Sequence, residues 1–261
     1  MSLMQAAIAA NRFGLGAKPG ELERLSSDPR GALRAQLEGG APLIPGALPA
    51  ADELLAQAFA MRAQPPAPSP VMSPAAGVAP ANPDVVAIAR SLRNVYVPAY
   101  IADVAARTRQ GVTSERSFVE RLVQFWSNHF AVSVDKLQVL GLAGPMEREA
   151  IRPHVLGRFG DLLLAVEQHP AMLLYLDNAQ SVGPQSRAAQ FIGQSGRNPT
   201  GRKLGLNENL AREILELHTL GVEGGYVQQD VQALAAIISG WSIGGARGLP
   251  NGPRAQRLVG A

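Results

Sequence analysis

Residues 207–221 read NENLAREILELHTLG. Placing successive residues about 100° apart round a helix puts Leu210, Ala211, Ile214, Leu215 and Leu217 on one stripe, with His218 near its centre. The spacing predicts an amphipathic helix over 207–220 that turns an imidazole toward a core. The segment SFVERLVQFWSNHFAV, residues 117–132, repeats the arrangement: Phe118, Leu122, Phe125 and Trp126 form the stripe, and His129 lies within it. A buried imidazole loses its hydration and needs a partner for each ring nitrogen. One shared network satisfies two of them more readily than two separate sites, so His129 and His218 are both expected to be buried and to meet. Asn128 adjoins His129, and Asn207 projects along the direction of His218. Asn207 also stands where an N-cap accepts the first free helical amides.

Helical spacing extends outward from these two segments, over 84–109, 115–131, 145–152, 159–168, 170–177 and 228–239. Strand-like alternation is almost absent. The expected fold class is all-α, an irregular multi-helix globular domain with long loops and little or no β. Four sections follow from composition: an N-terminal helical segment, 4–61, punctuated by Gly14, Gly16, Pro19, Gly39 and Gly40; a Pro/Ala-rich linker or loop, 62–83; a helical core, 84–245; and an irregular tail, 246–261. Within the core, 178–205 reads as a long polar loop of the kind that carries function.

At 261 residues the chain can bury a substantial core. Its 24 Lys+Arg against 21 Asp+Glu give a formal charge of only +3, and no basic run is interleaved with aromatics, so specific nucleic-acid binding is not expected. No apolar run approaches the roughly 20 residues that cross a bilayer. The opening MSLMQAAIAANRFG lacks a basic segment followed by a sustained apolar one, which makes the cytoplasm the default compartment. With no cysteine, disulfides, thiolate metal sites and cysteine nucleophiles are excluded.

Candidate catalytic residues are His129, His218, Asn128, Asn207, Glu208 and Glu213. Glu213 lies five residues before His218, about 140° away on an α-helix, and Glu216 about 160° away. Neither can chelate beside it. Glu208, Arg212 and Glu216 recur every four residues, which reads as a surface charge ladder. There is no HExxH, no histidine pair at i,i+4 and no calcium-loop spacing, so a divalent metal has no motif behind it and no cofactor is specified. Candidate binding residues stand at breaks: Arg152 and His154 beside Pro153, His169 before Pro170, and Asp177 after AMLLYL, with Arg212 on the ladder. Asp177 could orient a histidine, hold a cation, or end a helix. No GxSxG elbow, P-loop or dinucleotide fingerprint is present.

The motifs FWSNHFAVSVDK, EREAIRPHVLGRFGDLLLAVEQHPAMLLYLDNAQSVGP, GLNENLAREILELHTLGVEGGYVQQDV and SGW, in this order and spacing, resemble the bacterial family called domain of unknown function 1800. The resemblance runs from NRFGLGA to Trp241. It implies a mainly helical protein and names no activity, substrate or cofactor. Members usually carry Thr where Val227 precedes Asp230, so the resemblance implies a weakened helix cap here. Members also continue past GW with more helix, so by expectation this chain is either a piece of a longer protein or a naturally short form. Their frequent encoding beside a secreted sulfatase-like family implies an envelope-associated role.

Two functions fit these observations. The first is a small-ligand-binding or hydrolase-like protein with a His/Asn/carboxylate centre, an imidazole being suited to acid–base work or metal ligation near neutral pH. The second is a non-catalytic helical partner or scaffold protein for an envelope-associated complex, its polar residues fixing helix packing while the 178–205 loop meets a partner. The sequence specifies no oligomeric state.

Overall fold

The computed structural model describes residues 3–63, 83–186, 189–190 and 205–243. These form twelve α-helices joined by short 3-10 and widened π turns, with no strand among the described residues, so the class is all-α. The 62–83 linker falls outside the described residues except for its edges, which belong to helices; the 246–261 tail and all of 191–204 also lie outside them. No helix among the described residues is long and apolar enough to cross a membrane.

The chain divides into two compact units, each built from three separate stretches. The first comprises Met1–Pro49, Ala99–Ala131 and Ala143–His169. It contains α1 (Leu3–Ile8), α2 (Glu21–Leu25), α3 (Pro29–Ala35), the latter part of α5 (Pro83–Thr113), α6 (Ser117–His129), α8 (Ala143–Met146) and α9 (Phe159–Glu167). Asp28 caps α3 by accepting the Gly31 N–H at 2.9 Å, with Pro29 preset for the first turn. The core of this unit gathers Val119, Val123, Phe130, Ile151, Leu162 and Val166.

The second unit comprises Ala50–Pro98, Val132–Leu142 and Pro170–Ala261. It holds α4 (Ala51–Ala63), the first part of α5, α7 (Leu137–Leu140), α10 (Pro170–Tyr175), α11 (Asn209–Glu213) and α12 (Gln228–Ile238). Leu54, Leu142, Met172, Leu210, Val231 and Ile238 are buried in it. The Tyr96 ring lies so close to Gly141 that a Cβ there would come within 2.3 Å of it. Asn178 donates from Nδ2 to the carbonyls of Ile238 (3.0 Å) and Trp241 (3.2 Å), which satisfies the free end of α12. At the other end the Val227 N–H donates to Asp230 Oδ2 at 2.8 Å. Valine has no acceptor to return the bond, so half of a capping box remains.

Two expectations about helix faces need correction. On α6 the buried line is Val119, Glu120 and Val123, continued by Phe130, about 100° round from the aromatic stripe. Phe125 is 59% exposed, Asn128 is exposed and His129 is half-exposed rather than buried. The aromatic residues pack on one another at the edge of the helix, while smaller valines enter the core. After Glu213 the backbone widens: the N–H groups of Leu220 and Gly221 both donate to the Leu215 carbonyl, at 3.0 and 3.1 Å. Each residue of Ile214–Thr219 then turns through less than an α-helical step. Leu217 faces outward at 58% exposure, whereas His218 is buried as expected.

Candidate functional site

An extended polar assembly lies in the first unit and grows from three helical segments. On α5 the buried line Leu92, Tyr96, Ala99 follows heptad spacing, and the same spacing continues onto Asp103 and Gln110. A hydrophobic seam thus becomes polar where α5 enters the first unit. On α6, Glu120 sits between the buried valines. The third segment, Glu147–Ile151, is a widened turn in which the Arg152 N–H reaches the Glu147 carbonyl five residues back. That geometry brings the side chains of Glu147 and Arg152 to one face, which an α-helix would not.

Arg152, 1% exposed, is the centre. Its two terminal nitrogens donate to Glu120 at 3.1 and 2.8 Å, and its Nε donates to Glu147 Oε1 at 3.0 Å. Gln110 Nε2 donates to Glu120 Oε1 at 3.0 Å, and Ser127 Oγ to Glu147 Oε2 at 3.3 Å. Arg107 pairs with the latter oxygen from the edge. Burial alone would lower the Arg152 pKa, but the hydrogen bonds and charges of Glu120 and Glu147 outweigh it and hold the guanidinium above its usual value. Beside this cluster, Arg148 Nε donates to Asp103 Oδ1 at 2.8 Å. Burial pushes the Asp103 carboxyl up; Arg148 opposes that shift, and the charges of Glu147 and Glu149 add to it. Asp103 Oδ2 is buried without a hydrogen-bond partner among the described residues, against Gly144, where a Cβ would lie 2.3 Å from it.

Two of these arginines, and Arg116 just before α6, also reach outward. Arg152 donates to the Pro42 carbonyl (3.1 Å), Arg148 to the Pro49 carbonyl (2.6 Å), and Arg116 to those of Gln36 and Gly40. Carboxylates and carbonyls therefore occupy the guanidinium donors, and the cluster works as a clamp on packing. Net stabilisation from such a buried assembly is small, although removing one member leaves the others uncompensated.

The remaining candidates divide between the units. In the first, His129 lies among rings, with centroids 4.6 Å from Phe130, 5.4 Å from Trp126 and 6.4 Å from Phe125. Phe159, 42% exposed, packs 5.5 Å from Trp126. His169 is buried with Nε2 3.4 Å from Glu149 Oε2. His154 is half-buried beside the bend, its carbonyl accepting the Gly157 N–H at 2.9 Å.

In the second unit, Asp177 ends α10 in the left-handed region at φ 58°. Its Oδ1 accepts from Lys136 Nζ at 2.6 Å, so the cation it holds is the chain's own lysine. Asn207 donates from Nδ2 to the Asp177 carbonyl (3.3 Å), and its Oδ1 accepts the Asn209 N–H (2.9 Å), which is the N-terminal capping geometry of α11. Arg212 bridges Glu208 (3.2 Å) and Glu216 (3.3 Å), and Gln228 joins the ladder by donating to Glu208 at 2.7 Å. The Gln228 bond is the main influence lowering the Glu208 pKa. Glu213 is half-buried. The α-helical argument that separated it from His218 does not carry through the widened turn. His129 and His218 belong to different units. No three His, Cys, Asp or Glu side chains among the described residues are grouped so as to hold a metal ion.

Sequence reasoning found Arg152 only as a residue beside a proline and missed Asp103, Glu120, Glu147 and Arg148. The heptad running from Leu92 through Tyr96 and Ala99 onto Asp103 was the available signal, since a charged residue at a seam position demands a partner. The family model described as Protein of unknown function (DUF1800) matches residues 8–257. The chain belongs to that family. No curated protein and no solved structure matches it. In this DUF1800 chain the REAIRPH segment supplies Arg148, Glu149 and Arg152, FWSNHF supplies the aromatic group round His129, and LYLDNAQS meets NENLARE through Asp177 and Asn207.

Proposed function

We propose that this DUF1800 chain is a small-ligand-binding helical protein, with the ligand on the aromatic face of α6 and His129 as its polar contact. The half-exposed imidazole beside Phe125 and Trp126, with Phe159 packed on Trp126, carries the reading. Ligand sites combine apolar and aromatic surface with a few polar groups that fix orientation, and this face offers both. The arginine–carboxylate cluster, by contrast, has its donors engaged within the fold. A hydrolytic step at this face would use the imidazole as acid or base.

The chain has only two tryptophans, Trp126 and Trp241, so Trp241→Phe leaves Trp126 as a local reporter. Its emission is titrated with benzoate, benzyl alcohol and benzyltrimethylammonium, which share a ring and differ in charge. Saturable change with at least one probe, weakened by both Phe125→Ala and His129→Ala, is expected. A non-saturating response to all three, or saturation indifferent to both substitutions, would overturn the reading.

A further inference from the structure

From Ala233 to Ile238, α12 is apolar on every side. Val231, Ala235 and Ile238 are buried, yet Ala233, Ala236 and Ile237 on the opposite face are exposed, Ile237 at 76%. The single charged residue of the helix, Asp230, is spent on capping the Val227 N–H. A helix hydrophobic all round belongs inside a fold rather than at its surface. The apolar exposure continues at the tip, where α12 meets the segment before it: Arg212 bonds Gln228, Glu216 bonds Tyr226, and beyond them Leu217, Leu220, Val222 and Val227 are all exposed. This hairpin is also acidic. Residues 207–230 hold five carboxylates and one arginine, Arg212, which Glu208 and Glu216 share; Glu213, Glu223 and Asp230 have no ion pair among the described residues.

We propose that residues 244–261, which lie outside the described residues, fold back along this face of α12 and cover it. They follow α12 in the same unit, and most of them fall within the family match, which runs to residue 257. Their chemistry complements that of the hairpin: three arginines, Arg247, Arg254 and Arg257, no acid, and Leu249, Leu258 and Val259 as apolar anchors. Length permits the path. The eleven residues of α12 rise about 16 Å, whereas the 18 residues after Ile243, if extended, reach up to roughly 60 Å. A tail leaving at Ile243 can therefore pass Ile237 and arrive at the tip with slack. Covering apolar surface supplies the attraction, and the arginines select the acidic hairpin. Charge alone would hold the tail weakly, because exposed pairs are screened by salt. The inference concerns the second unit and is independent of ligand binding at the aromatic face.

The chain has no cysteine, so Ile237→Cys places one thiol on the face of α12, and Leu43→Cys, at a residue almost equally exposed (74%), serves as a reference in the first unit. In the full chain a bulky maleimide should label the Ile237→Cys protein about tenfold more slowly than the reference, at any protein concentration. Leu249→Asp with Leu258→Asp should raise labelling to the reference rate, and Arg254→Glu with Arg257→Glu should raise it in part, with far-UV circular dichroism unchanged. Val222→Cys repeats the comparison at the tip and decides alone if Ile237→Cys loses helical signal. Equal labelling of face and reference with the native tail would overturn the proposal. Protection that vanishes on dilution would also overturn it, by assigning the face to a second copy, as would protection that survives both pairs of tail substitutions.

Discussion

Arg152 grips Glu147, five residues before it, with Nε 3.0 Å from Oε1, because the intervening turn is widened rather than α-helical. The same guanidinium forks onto Glu120 from another helix. Replacing it with alanine leaves Glu120 buried with only the Gln110 amide to offset its charge, and Glu147 with Arg107 alone. Arg152→Ala should lower stability by about 3–5 kcal/mol, and Arg152→Lys by less but measurably, because an ammonium cannot reproduce the planar fork. Urea denaturation checks both; a loss below about 1 kcal/mol for the alanine variant would mean that the assembly behaves as a surface pair.

Asp103 should leave a signature in the pH dependence of unfolding. Its folded pKa lies above its unfolded value, so the stability it contributes is present below the unfolded value and lost as pH rises through the folded one. Wild-type stability relative to Asp103→Asn should decline as pH rises from the ordinary carboxylate value of 3.8 and then level off. A relative stability that increases over that window would contradict the shift.

Gly144 and Gly160 make a paired test. Alanine normally favours a helix over glycine by up to about 1 kcal/mol. At Gly160 a Cβ meets nothing within 4 Å, so Gly160→Ala should be neutral or stabilising. At Gly144 it would strike the Asp103 carboxylate, and the clash should reverse the sign, costing about 1–3 kcal/mol. Thermal melts of the two variants should move in opposite directions or differ clearly.

Asn207 should act as a cap. Asn207→Ala is expected to cost about 1 kcal/mol, whereas Asn207→Asp and Asn207→Ser retain most of the stability. Equal losses in all three would place its importance in the amide donor to Asp177 instead.

Much of the fold was legible because helical periodicity is local. The expected 159–168 and 228–239 became Phe159–Glu167 and Gln228–Ile238. Which face a helix buries was less so: on α6 the large aromatics outweighed Val119 and Val123 in the count, although the valines fill the core. The widened turns broke the assumption of a constant 100° step, which misplaced Leu217 and hid the Glu147–Arg152 pair. The clamp itself depends on partners 32 and 45 residues apart, Glu120 with Arg152 and Asp103 with Arg148. No local pattern encodes such pairings.

The interleaving of the two units bears on how the chain is made. Pro49 leaves the ribosome 99 residues ahead of Arg148, its fastening. At about 5–20 residues per second, the N-terminal stretch waits roughly 5–20 s for the side chains that hold it. During that interval the nascent chain presents residues 42–49 without the bonds from Arg148 and Arg152 that hold them, and the first unit closes only when His169 has emerged. Biosynthesis thus imposes an order in which neither unit can finish from one continuous piece of chain, and holdase chaperones have a defined window in which to act.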